Sequence, residues 1–141
     1  MSGKKKLTRR ECRELIFKLL FAKEFDREAD PSVFYGSFIE GTEEKSAEYV
    51  KNVFVGVCES LAELDEELEA ASNKWKLSRM STATRSVLRM ALYEMTVCEV
   101  PPKAEINEAV EIIKLYDEDS APAFVNGILN RIARDRGLIE E

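Results

Sequence analysis

Lys4, Lys5, Lys6, Arg9, Arg10, Arg13 and Lys18 are opposed only by Glu11 and Glu14 within the first 18 residues, a net of +5. The other 14 basic and 25 acidic side chains leave the rest of the chain at −11. Positive charge gathered at one end of an acidic chain suits an anion, and nucleic-acid phosphate is the leading candidate. Lys6, Arg9, Arg10 and Arg13 follow i, i+3, i+4, i+7 spacing, which predicts one helical face about 10 Å long, with Lys5 beside it. Arginine offers phosphate a planar fork and can stack on an unpaired base. Free amides at a helix start add a favourable dipole. Single-stranded RNA fits such a surface, because its unstacked bases can be read on their edges. The competing interpretations are a solvated face that aids solubility and a contact with an acidic protein.

Other chemistries are poorly provided for. The sequence has no histidine, and its three cysteines, Cys12, Cys58 and Cys98, are far apart. Spaced Cys/His zinc sets, the Ser-His-Asp triad and the Cys-His pair are thereby excluded. No catalytic residue, metal ligand or cofactor is assigned, so the chain is read as a non-enzyme. Each cysteine is expected to be a buried, reduced thiol. A length of 141 residues fits one domain, 1–141, with a core of its own. No apolar run approaches the roughly 20 residues of a membrane span. The start, Met1 to Lys6, lacks the apolar core of a signal peptide, and the expected location is the cytoplasm.

Further candidates are more ambiguous. Phe17 and Phe21 lie four residues apart below Arg13, either in the core or against a partner. Beyond Leu15 that helix is nearly apolar all round, so several faces need covering. Arg85, Arg89 and Tyr93 recur every four residues on one side of a helix. They either pair with acids such as Glu94 or Glu111 or, through Arg89, extend a basic surface towards RNA. Asn107 and Glu108 read as support for a helix start. Glycine inside a helix costs about 1 kcal/mol against alanine, so Gly127 is expected to permit close helix packing. Asp117, Glu118 and Asp119 would repel phosphate and are assigned to a partner or to solvent.

The elements that must position these residues are helices. Periodicity of three and four runs nearly end to end, with no segment of strict alternation. Residues 1–8 are expected to be a flexible basic arm, with Thr8 capping a helix over residues 9–25. Asp30-Pro31-Ser32 marks a stop before a short helix over 33–39, and Gly41-Thr42 introduces a long one. Val50, Val53, Phe54, Val57, Leu61, Leu64 and Leu68 give it an apolar stripe, with a break expected near Leu64 that leaves a short extra helix up to Ala71. A connection over 73–81 leads to a helix over 82–97, which Pro101-Pro102 ends. Ile106, Ala109, Val110 and Ile113 define another helix. The last runs over 121–136, after a turn in which Asp119 or Ser120 can cap. The product is all-α, with halves at 9–75 and 76–141.

Four blocks then resemble the NusB family of bacterial transcription antitermination factors. They are Arg9-Arg10-Glu11-Cys12-Arg13-Glu14 with Leu19-Leu20-Phe21, Val87-Leu88-Arg89-Met90-Ala91-Leu92-Tyr93-Glu94, Ile106-Asn107-Glu108-Ala109-Val110-Glu111, and Phe124-Val125-Asn126-Gly127-Ile128-Leu129. Their order and spacing agree with the family; residues 31–80 match only in pattern. The resemblance implies two three-helix bundles packed into one compact domain. It also implies binding of boxA RNA together with the ribosomal protein NusE, and joining of the RNA polymerase elongation complex with other Nus factors, chiefly in ribosomal RNA operons. RNA contacts are then expected at Lys5, Lys6, Arg9, Arg10, Arg13, Arg89 and Phe124. Contacts with NusE are expected at Phe17, Phe21, Arg85, Tyr93 and Asp119. The chain departs from the family at Thr84, where an acid is common, at Asp117, where glycine is common, and at Ala121, with serine displaced to Ser120. The alternatives are a protein adaptor without RNA binding and the RNA-binding part of a split ribosomal RNA methyltransferase. A homodimer that hides the basic arm is a further possibility.

Overall fold

Thr8 starts the first helix by a reciprocal cap. Its hydroxyl accepts from the Glu11 amide at 3.1 Å while the Glu11 carboxylate accepts from the Thr8 N–H at 2.9 Å, so two groups without helical partners are satisfied together. The helix that follows, α1, spans Arg9–Lys23. In the computed structural model, which describes residues 4–73 and 75–140, six further α-helices follow among the described residues. They are α2 (Pro31–Phe34), α3 (Glu44–Glu59), α4 (Leu61–Ala71), α5 (Thr82–Thr96), α6 (Pro102–Tyr116) and α7 (Ala121–Asp135). Short 3-10 turns occupy Tyr35–Phe38 and Leu77–Arg79. Extended pairing is limited, among the described residues, to a single bridge between Lys5 and Thr42.

The described residues form two compact units that divide between Glu59 and Ser60. In the first, α1 packs on α3 and α2 packs on α3. Ile16, Leu19 and Leu20 of α1 and Val50, Val53, Phe54 and Val57 of α3 are buried. Phe34 stacks on Phe54 with ring centres 6.1 Å apart. The expected helix over 33–39 is instead α2 and a 3-10 turn, because Asp30 caps from the Ser32 amide and Pro31 starts the helix early. In the second unit α5 is packed by α4, α6 and α7. Val87, Leu88, Met90, Ala91 and Leu92 are all fully buried, as suits a helix apolar on most sides.

The long stripe read from the sequence breaks at Ser60 rather than near Leu64. Leu64 and Leu68 are buried on α4, which packs on α5 and α7. The division between units therefore precedes the expected 75/76 boundary. Pro102 also starts α6 as its first residue, where a missing N–H costs nothing.

Candidate nucleic-acid interface

The basic segment is tied down rather than loose over its described part. Lys5 donates its N–H to the Gly41 carbonyl at 2.8 Å, and Glu43 donates to the Lys5 carbonyl at 2.8 Å. Gly41 presents that carbonyl from a left-handed conformation, φ 80°, which favours glycine. Leu7 then donates to the Ser46 hydroxyl at 3.0 Å. These bonds correct the expected flexible arm for residues 5–8; residues 1–3 lie outside the described residues. They also correct the single helical face, since Lys6 precedes the cap and is not helical.

What the segment presents is nonetheless cationic. Lys5, Lys6, Arg9 and Arg10 are exposed. The Arg9 guanidinium lies 3.7 Å from the Tyr49 ring centre, a stacking that limits its rotamers. Lys5 pairs with Glu11 at 3.2 Å. The Thr8 N–H and then Lys5 hold the Glu11 carboxyl below its ordinary value, against a small opposing desolvation. Arg13 differs from its neighbours, being only 7% exposed. It flanks buried Cys12 on the packed side of α1, so it is not on the surface offered by Arg9 and Arg10.

An aromatic row continues along α1. Phe17 is buried at 1% exposure, which decides for the core. Phe21 is exposed and lies 6.2 Å from Phe17 and 5.5 Å from Phe25 by ring centres. Phe25, the last residue of the expected helix but two positions beyond the end of α1, is 75% exposed.

Arg85 and Arg89 are occupied within the second unit. Arg85 Nη1 donates to the carbonyls of Leu77 and Met80 at 2.9 and 2.8 Å, fastening the turn before α5. Arg89 is 9% exposed and donates Nε and Nη2 to the two oxygens of Asp65, both at 2.8 Å. The carboxylate it forks onto is that of Asp65 in α4. Such a fork against a carboxylate is a directional pair, so Arg89 does not extend a basic surface. Tyr93 is half-buried and Asp119 exposed.

Folding of the second unit also assembles a cleft of about 550 Å³ lined by Trp75, Arg79, Thr84, Asp117, Glu118 and Phe124, among others. Trp75 is 56% exposed. Its segment is held by the Ser72 hydroxyl, which donates to the Trp75 carbonyl at 2.7 Å, and by the Glu69 carboxylate, which accepts from the Leu77 N–H at 2.9 Å. Arg131 donates to the Asn73 side chain at 2.7 Å. Asp117, also in the lining, accepts from the hydroxyls of Ser81 and Thr84 and from the Glu118 N–H. Desolvation raises the Asp117 pKa, but the hydrogen bonds from Ser81, Thr84 and Glu118 together outweigh it and leave the carboxyl below its ordinary value. Asp117 is thus internal bracing, which corrects its assignment to partner or solvent. Its backbone is extended, φ −144°, so glycine is not required there. Trp75 and Arg79 were missed; the signal was the chain's single tryptophan with an arginine four residues on.

Several other expectations change. Asn107 lies inside α6, past the first turn, and does not cap it. Ser120 stands at the cap of α7 without a side-chain bond to its amides. A Cβ on Gly127 would meet nothing within 4 Å, so no close packing requires that glycine; it borders the groove beside Trp75 and Phe124. Cys12 is buried, Cys58 half-buried and Cys98 exposed, so only the first matches a buried thiol. Among the described residues no Cys/Asp/Glu cluster could hold a metal, and no helix is long and apolar enough to cross a membrane.

Comparison with known proteins places these features. The NusB family profile matches residues 10–134. The transcription antitermination protein NusB of Thermoanaerobacter sp. (strain X514) is 37% identical over 134 residues, covering 95% of this chain and 96% of that one. The structure of T. maritima NusB superposes with a TM-score of 0.88 at 36% identity, covering 93% of this chain and 94% of that one. A chain in the crystal structure of antitermination factors NusB and NusE in complex with dsRNA shares the fold, with a TM-score of 0.81 at 22% identity over 90% of this chain and 96% of that one.

Proposed function

The chain belongs to the NusB family, and from that membership we propose that it is a transcription antitermination factor that binds boxA-type RNA together with NusE. The observation that carries this reading is the exposed set Lys5, Lys6, Arg9 and Arg10, held at the start of α1 in a chain of net charge −6. These four supply phosphate affinity. Arg13 and Arg89 take part only indirectly, by fixing α1 and α5. Phe124 offers a face to an unpaired base. NusE docks through the exposed Phe21, with Tyr93 and Asp119 as further contacts; Phe17 and Arg85 support the fold around them. The complex so formed joins elongating RNA polymerase with other Nus factors in the cytoplasm. Its work is positioning rather than catalysis.

Fluorescence anisotropy of a labelled boxA-type RNA, with and without the cognate NusE across a salt series, tests this. Four phosphate contacts give a log–log salt slope of about −3, at roughly −0.7 each for single strands. A Lys6→Ala/Arg9→Ala/Arg10→Ala variant is expected to reduce that slope by about 2. Binding that NusE tightens supports the composite reading. Capture of NusE without any RNA binding would leave a protein adaptor instead.

A further inference from the structure

The cleft of the second unit is lined by groups of both signs, Arg79 with Asp117 and Glu118. Trp75 and Arg79 also border a groove with Lys76, and Trp75 and Phe124 border another with Arg131 and Arg134. In such a lining a carboxylate repels phosphate but accepts from an exocyclic amine, so a nucleotide that enters favours its base beside the acids and its phosphate towards the cations. The volume, about 550 Å³, lies within the roughly 300–1,000 Å³ usual for small-ligand sites. An exposed tryptophan and a half-buried phenylalanine give an unpaired base apolar faces to stack on.

The two acids are not equivalent. Asp117 spends its oxygens on Ser81, Thr84 and the Glu118 N–H. Glu118 is exposed at the cleft wall, and the Asp117 bond to its backbone fixes where its side chain starts. We propose that Glu118 is a base-selecting residue, which accepts from the exocyclic amine of a base stacked on Trp75 and so favours cytosine or adenine over uracil. Cytosine and uracil make the sharpest contrast: they are alike in size, but cytosine presents an amine where uracil presents an oxygen. This inference rests on the RNA-binding reading above and extends it to a choice of base.

Trp75 is the chain's single tryptophan, so its emission reports on this cleft and the grooves that adjoin it. The full chain without NusE is titrated with dye-labelled oligocytidylate and oligouridylate at low salt, following dye anisotropy and Trp75 emission together. Oligocytidylate is expected to quench Trp75 at about tenfold lower concentration than oligouridylate, a difference of the size one amine contact supplies. In Glu118→Gln the two titrations should fall within about twofold of each other, because the amide can donate as well as accept. A rise in anisotropy with unchanged Trp75 emission would show that the basic segment binds RNA but the cleft takes no base. Equal quenching by the two polymers in the unmodified chain would remove the role of Glu118. Absence of any anisotropy change would overturn the RNA reading itself.

Discussion

The basic segment before α1 and the cleft beside α7 are two ways of meeting the same ligand chemistry. The segment draws its charge from residues adjacent in the chain, so its character survives whatever the fold does to it. The cleft draws on residues 75, 79, 118 and 124, which become neighbours only when the 3-10 turn at Leu77–Arg79 and the start of α7 are brought together. The segment offers long-range attraction to any phosphate chain. The cleft offers shape, stacking and an acceptor, and can therefore discriminate.

The contrast can be broken most severely through Arg89, which belongs to neither region. Asp65→Ala removes a bidentate partner of a nearly buried guanidinium and is expected to cost about 3 kcal/mol, read as a lower denaturation midpoint. RNA affinity of the protein that remains folded should be unchanged; a large loss of affinity would return Arg89 to the binding surface. Thr8→Ala removes the cap that joins the extended segment to α1 and should cost about 1 kcal/mol. It should also weaken RNA binding at low salt, since Lys6 and Arg9 lose their fixed spacing.

Gly127→Ala sharpens the comparison from the other side. With open space at that position, the substitution should stabilise α7 by up to about 1 kcal/mol. If the groove beside it accommodates RNA, affinity should fall while stability rises, a split that calorimetry and anisotropy together would detect. The smallest effect is expected from pH. The Asp117 carboxyl is held below its ordinary value in the folded chain, so its stabilisation is fully present above the unfolded value. That stabilisation fades as pH drops through the folded one. Asp117→Asn should therefore lower stability slightly at neutral pH and flatten the acid limb of the profile, the two proteins converging at low pH.

Part of this was legible from sequence. The Thr8 cap and the amphipathic stripes of α1, α3, α5 and α7 rest on local rules of spacing and hydrogen bonding. The residues that were misplaced have long side chains whose partners are distant. Arg13 and Arg89 look like surface cations, yet Arg89 meets Asp65, 24 residues away, and no periodicity encodes that meeting. Asp117 looks like a repulsive acid until Ser81 and Thr84, more than 30 positions earlier, supply its donors.

The sequence by itself determined that the chain is helical and that one end is cationic, because both follow from neighbours within a few residues. Tertiary structure alone decided which cations remain in solvent, and that an exposed tryptophan and a glutamate share one cleft. Burial and ion pairing are settled by contacts between segments far apart in the chain, and those contacts exist only once the helices have packed.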